Sequence, residues 1–299
     1  MPPRKGEKLA GQGLKRLLSD KPSQFLLYAV EEAAEKADHM RIARVLKHLK
    51  KRYEAVGWVH VSDLLNDCDR YLAARLLGYQ FKEEAFGSKL YRIFENGHMM
   101  HIRWQNYFLS LPKEYSVSIS RIIQIWPVIG EADLTVTHPT HGKVVVELKS
   151  INDNGFKKLK REGAQVRHIQ QVSHYAHLFT KLEADGPEPW TSQLWYENKN
   201  DQNVETFDPE VQAEWVESRL DRLMEIVDLV TSGRLPKSCK GDECVYDDRV
   251  GNIKGGDKHE ARISETKEWY HQWQEQQALK KTKHPSSSRS SQTMVKSAG

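Results

Sequence analysis

Residues 132–149 decide the fold: Ala132-Asp133-Leu134-Thr135-Val136, the turn-forming stretch His138-Pro139-Thr140-His141-Gly142, and Val144-Val145-Val146-Glu147-Leu148-Lys149. Two short apolar, β-branched runs around a Pro- and Gly-bearing link read as neighbouring strands. Just upstream, Tyr115 to Ile129 is rich in Ile and Val, with alternation at Val117 and Ile119. Three consecutive strands are expected, at least two of them a hairpin.

Helical patterns lie on both sides. Phe25, Leu26, Ala29, Val30, Ala33 and Ala34, then Ile42, Val45 and Leu46, recur at helical spacing. Ser62 reads as the N-cap of a helix from Asp63 to about Leu77, closed by Gly78. A longer helix is expected from about Lys82 to Leu111, with a break near Gly87. After the strands come a helix over about 164–182, a strand at Trp190–Tyr196 and a helix opened by Asp208-Pro209-Glu210, with Asp as N-cap and Pro at the first position. That helix is expected to stop at Gly233. The order implies an α/β fold with a helical N-terminal elaboration. It divides the chain into a flexible basic N-terminus (1–22), a helical region (23–111), a core ending in a cysteine-bearing loop (112–257), a C-terminal helix (258–281) and a disordered, basic, Ser-rich tail (282–299).

The 299 residues are 38% hydrophobic and 29% charged, with mean hydropathy −0.69, which excludes fibrous and wholly disordered classes. No apolar run approaches a membrane span, and Met1 to Leu18 holds no apolar stretch of a secretory signal. Three cysteines without such a signal argue against a disulfide framework, so a cytoplasmic protein is expected. Net charge is +4, but residues 278–299 hold five basic residues and no acid. The rest of the chain is thus near neutral, and overall charge does not demonstrate a nucleic-acid partner.

Glu147 and Lys149, two apart on a strand, point to one face. Alone, such a pair reads as an ion pair on an exposed strand. Asp133, on the neighbouring strand, can bring a second carboxylate there. Two carboxylates at one strand end make a hard oxygen site for Mg²⁺ or Mn²⁺. A lysine beside them can orient or help deprotonate a water and stabilise charge on a phosphate. On the helix that follows, Gln171 and Tyr175 share a face, with His168 one turn earlier.

Gly130-Glu131-Ala132-Asp133, then Glu147-Leu148-Lys149, then Gln171 and Tyr175 four residues apart resemble, in order, the three motifs of the RecB-type branch of the PD-(D/E)XK nuclease superfamily. Gly97-His98-Met99-Met100-His101 resembles that branch's upstream G-x-x-x-H motif, with His98 as competitor for the histidine's role. The resemblance spans about residues 97–175. It implies a restriction-endonuclease-like core, with a mixed sheet flanked by helices. It also implies a metal-dependent DNA nuclease, an exonuclease in the first instance, acting in recombination, repair or phage DNA processing. His101, Asp133, Glu147 and the Leu148 carbonyl would hold Mg²⁺ or Mn²⁺. Lys149 would serve the hydrolytic water, and Gln171 and Tyr175 would orient Lys149 or the phosphate. An endonuclease of the same superfamily and a non-catalytic DNA-binding module are the alternatives.

One subgroup of that branch, which includes a CRISPR-associated exonuclease and phage relatives, carries a [4Fe–4S] cluster on four cysteines. Cys68, in Asp67-Cys68-Asp69-Arg70-Tyr71-Leu72, and Cys239 and Cys244 resemble three of the four. Valine stands at position 250, where the last is expected. The alternatives are a cluster or zinc ion completed by Asp247 or His259, or a site that has lost its metal. For DNA, Lys157, Lys158, Lys160, Arg161 and Arg167 are candidate backbone contacts or else a solvated loop. No helicase phosphate loop occurs, so the chain would act alone or with a separate helicase or recombination protein. No membrane partner is expected.

Overall fold

A computed structural model describes residues 22–34, 56–79, 88–183, 188–237 and 257–283. The expectations for residues 1–21, 35–55, 80–87, 238–256 and 284–299, including Cys239, Cys244, Asp247 and the Ser-rich tail, lie outside them. The elements in order are α1 (Pro22–Ala34), β1 (Val59–His60), a 3₁₀ turn (Asp63–Leu65), α2 (Asp69–Leu76), α3 (Ser88–Phe108), β2 (Ser116–Ile125), β3 (Val128–His138), β4 (Gly142–Ile151), α4 (Asp153–Glu162), α5 (Val166–Leu182), β5 (Trp190–Asn198), β6 (Val204–Phe207), α6 (Ala213–Thr231) and α7 (Asp257–Lys283). Among the described residues no helix is long and apolar enough to cross a membrane.

The fold is mixed α/β, with a six-stranded mixed sheet flanked by helices. Strands β2, β3 and β4 form two successive antiparallel hairpins, and β4 pairs with β5 in parallel. A parallel pair needs a crossover, which α4 and α5 supply. Alternation along β4 sends Val144, Val146 and Leu148 into one apolar cluster, with α1 and α3, while Val145 joins the other, with α2, α5 and α6. Both faces of the sheet are therefore covered. Glu147 and Lys149 share the parity of Val145 and belong to the α5 side.

Several local expectations give way to tertiary contacts. The stretch Tyr115–Ile129 is not one strand, because Trp126-Pro127 forms the turn between β2 and β3, and Ile125 pairs with Val128. Proline cannot donate to a ladder, so the chain turns there. Ser62 caps nothing: its side chain makes no capping bond and the helix starts only at Asp69. The buried Arg219 guanidinium takes the carbonyls of Leu64 and Asn66, and the Asn66 side chain accepts the Cys68 N–H, which holds this segment out of a continuous helix. Asp208 does not cap α6 either, which begins at Ala213. Its carboxylate instead accepts Ser23 N–H (2.9 Å) and Ser23 Oγ–H (2.5 Å), at the start of α1. The basic run after β4 is helix α4 rather than a loop, capped by Asn152, whose side chain accepts the Gly155 N–H. β6 had no strand signal of its own.

Candidate active site

The site forms where β4 parts from β3. Their ladder runs from His138↔Gly142 to Leu134↔Val146 and ends there, although Asp133 and Glu147 come next in register. β2 occupies one edge of β3 along its length. The other edge is therefore shared by β4 and, further along, by β1, which pairs at Val128 and Ile129. Residues 130–133 lie in the gap between.

Side chains take over where the ladder stops. The Leu148 N–H donates to Asp133 Oδ2 at 2.8 Å. Asp133 Oδ1 lies 3.2 Å from His101 Nδ1, and Gln105, one helical turn on, donates from Nε2 to the Asp133 carbonyl at 3.2 Å. Helix α3 thus reaches Asp133 from one side of the sheet. From the other side α5 reaches Lys149, whose Nζ donates to Glu147 Oε1 (2.7 Å) and Gln171 Oε1 (3.0 Å). Glu147 is 3% exposed, and its Oε2 has no hydrogen-bond partner among the described residues.

Tyr175 completes this face. Its hydroxyl is hydrogen-bonded to the Glu131 backbone, and burial holds its pKa well above the usual phenol value. A Cβ at Gly130 would lie 2.7 Å from Val61 Cγ2 and 2.8 Å from Tyr175 Cε1, so the first glycine of the motif is a packing requirement. Gly97 has no described atom within 4 Å of such a Cβ, so its place beside the histidines has no comparable packing cause.

The electrostatics follow from burial. Loss of water, then the nearby Asp133 charge, push the Glu147 carboxyl up to about 7 despite Lys149. Burial also opposes ionisation of Asp133, but His101, Lys149 and the Leu148 N–H outweigh it and hold its pKa below the usual carboxylate value. His101 is likewise raised, since Asp133 and Glu147 overcome the burial that would lower it. Lys149 is raised by the same two carboxylates against its own burial. Two carboxylates and two cationic groups thus balance one another.

Among the described residues, no group of three or more His, Cys, Asp and Glu side chains is drawn together as a metal cage. The donors are turned on one another, His101 to Asp133 and Lys149 to Glu147. Their chemistry nevertheless fits a hard divalent cation: two carboxylates and an imidazole adjoin, and Glu147 Oε2 is a buried acceptor with nothing to accept from. His98 is exposed, on the same helix, whereas His101 is the one against Asp133.

No protein family and no curated protein matches the chain in sequence. Among solved structures the chain is similar, at low identity, to the following two. A crystal structure of SSO0001 is 12% identical, with a TM-score of 0.36, over 68% of this chain and 86% of that one. The alkaline exonuclease LHK-Exo from Laribacter hongkongensis is 12% identical, with a TM-score of 0.38, over 58% of this chain and 87% of its own. Likeness at this level assigns no residue a role.

The remaining expected residues separate into two places. Lys157, Lys158, Lys160 and Arg161 project from α4; Lys157 pairs with Asp153, Lys158 and Arg161 pair with Glu162, and Lys160 lies over the Phe156 ring. Arg167 is exposed at the start of α5 and within electrostatic reach of Lys149. Cys68 is buried at the start of α2, where Arg70 Nε donates to the Pro236 carbonyl at 3.2 Å. Gln105, at the Asp133 carbonyl, and Tyr196, at His168, lie outside the sequence motifs. Gln105 had one usable signal, its place four residues after His101; Tyr196 had none.

Proposed function

We propose that the protein is a divalent-metal-dependent DNA nuclease, in the first instance a RecB-like exonuclease. The observation that carries this reading is the side-chain set in the β3–β4 gap. From two parted strands, Asp133 meets His101 of α3, Lys149 meets Glu147 and Gln171 of α5, and the Leu148 N–H joins the two groups at Asp133. Charges held partly out of water are costly and usually retained for a purpose, so a balanced quartet of half-buried His101, Asp133 and Lys149 around buried Glu147, with one orphaned carboxylate oxygen, is a functional signature. His101, Asp133 and Glu147, with the Leu148 carbonyl, would hold Mg²⁺ or Mn²⁺. When bound, such an ion supplies Lewis acidity to a phosphate and lowers the pKa of water.

The chain's own groups have separate parts. Lys149, charged and tethered by Glu147 and Gln171, orients the attacking water and donates to the developing negative charge. Gln171 sets the direction of the ammonium by occupying one of its three protons. Tyr175 holds the backbone at Glu131 and so the approach to Asp133. Gln105 does the same from below, at the Asp133 carbonyl. Exposed Arg167 and the α4 lysines would meet backbone phosphates. A cluster or zinc ion on Cys68, Cys239 and Cys244 belongs to the same proposal; iron and zinc content of anaerobically purified protein tests it.

The deciding experiment incubates wild type and Lys149→Ala with end-labelled linear DNA and closed circles in Mg²⁺, Mn²⁺ or EDTA. Metal-dependent loss of linear DNA with circles spared and the variant inactive supports the exonuclease. Cut circles make it an endonuclease. Binding without cleavage in every metal makes it a non-catalytic module.

A further inference from the structure

We propose that His168, which neighbours Arg167 in sequence and lies one register step from Lys149 through Tyr196, forms a phosphate-binding subsite beside the carboxylates, in which the imidazole donates a hydrogen bond from Nε2 to a backbone phosphate of DNA. The inference rests on the DNA-nuclease reading of the same site.

Three observations place it. Lys149 and Tyr196 are register partners on the parallel strands β4 and β5, so their side chains leave the same face side by side. Helix α5 crosses that face, and two residues three apart on it dock on that pair. Gln171 accepts from Lys149, and His168 Nδ1 lies 2.8 Å from the Tyr196 hydroxyl. The polar row over the β3–β4 gap therefore continues past Lys149 to His168. Tyr196 is fully buried, whereas His168 is only partly covered and keeps an edge toward solvent.

The hydrogen bonds select the imidazole's form. The Tyr196 oxygen accepts the Gln165 N–H at 3.3 Å, and burial keeps its own proton by pushing the phenol up to about 12. That proton has His168 Nδ1 as its acceptor, which leaves the ring hydrogen on Nε2. Burial, then the charges of Lys149 and Arg167, push His168 down to about 4, so the ring is neutral at physiological pH. Nε2 makes no hydrogen bond among the described residues. A neutral donor within electrostatic reach of two cations suits an anion: the cations attract it and the imidazole adds direction without a third charge. Tyr196 acts here as a positioning residue, through the ring it orients.

The test is DNA binding in Ca²⁺, using short oligonucleotides that carry one uncharged methylphosphonate, moved phosphate by phosphate. Wild type, His168→Leu, His168→Gln and Tyr196→Phe are compared, with thermal melts to establish folding. His168→Leu is expected to weaken binding about tenfold, the scale of one hydrogen bond to a charged group. One methylphosphonate position should weaken wild type by a similar factor and leave His168→Leu no weaker. His168→Gln, which can present an N–H near the Nε2 position, should recover most of the affinity. Tyr196→Phe should show a partial loss confined to that same phosphate, whereas damage to packing alone would weaken every position alike. Binding by His168→Leu equal to wild type, or losses that add at every position, would overturn the subsite. Wild type that shows the coupling yet cleaves nothing in Mg²⁺ leaves the subsite standing and removes the nuclease reading. Wild type that binds no DNA removes both.

Discussion

The two halves of the β3–β4 pair differ within one residue step. From Leu134↔Val146 to His138↔Gly142 the strands are zipped, and the buried side chains are apolar apart from Thr135. At Asp133 and Glu147 the backbones no longer bond, and ionisable side chains fill the gap. The zipped half gains stability from ladder bonds and apolar burial. The parted half keeps charged groups out of water at a cost that only their mutual pairing offsets. Stability and the proposed chemistry would thus be neighbours on the same strands yet rest on different groups, and substitutions should separate them.

The largest separation is expected at Lys149. Lys149→Met should lower the cleavage rate about 10³-fold, or about 4 kcal/mol of transition-state stabilisation. The fold should survive, because Glu147, already pushed up to about 7, can take a proton when its partner goes. Label release and circular-dichroism melting read the two quantities; a variant that fails to fold would show that the parted half also holds the structure together. The reverse pattern is expected at Leu134, which is fully buried. Leu134→Ala should cost about 3 kcal/mol in urea denaturation while the protein that remains folded cleaves at nearly the wild-type rate. An activity loss far beyond the unfolded fraction would erase the contrast.

The same division recurs on α5. Gln171 and His168 face the site, while His174 is fully buried, donates from Nδ1 to the Gln170 carbonyl and meets the Trp215 ring edge-on at 5.1 Å. Burial pushes His174 down to about 4 from an ordinary value of 6.5. Between those values the unfolded chain binds the extra proton. The stability this residue supports is therefore full above pH 6.5 and drains as pH falls toward 4, by about 2 kcal/mol at pH 5. His174→Phe should flatten that slope in urea titrations at pH 7.5 and 5, and an unchanged slope would place the acid sensitivity elsewhere. The smallest effect is expected on α4. Charge reversal of Lys157 and Lys158 together should reduce the salt slope of DNA binding by about 2 without changing stability measurably. An unaltered slope would leave these lysines as partners of Asp153 and Glu162 only.

The order of strands and the long helices were legible because each carries its own period, apolar runs in β3 and β4 and a 3.6-residue repeat in α5. The helix starts proposed at Ser62 and Asp208 were not. A local helix start can be overridden from far away: Arg219 takes the Leu64 carbonyl across 155 residues, and Ser23 takes the Asp208 carboxylate across 185.

By itself the sequence determined which chemical groups exist and the local faces they occupy: Glu147 beside Lys149, Gln171 one turn from Tyr175, Gly130 ahead of Asp133. Only the tertiary structure decided that β4 leaves β3 at Val146, that His101 and Gln105 meet Asp133 there, and that Tyr196 turns His168 toward the same face. The physical reason is range. Side-chain direction along a strand or helix repeats over a few residues, whereas parting a ladder needs competing partners that the chain supplies from far away.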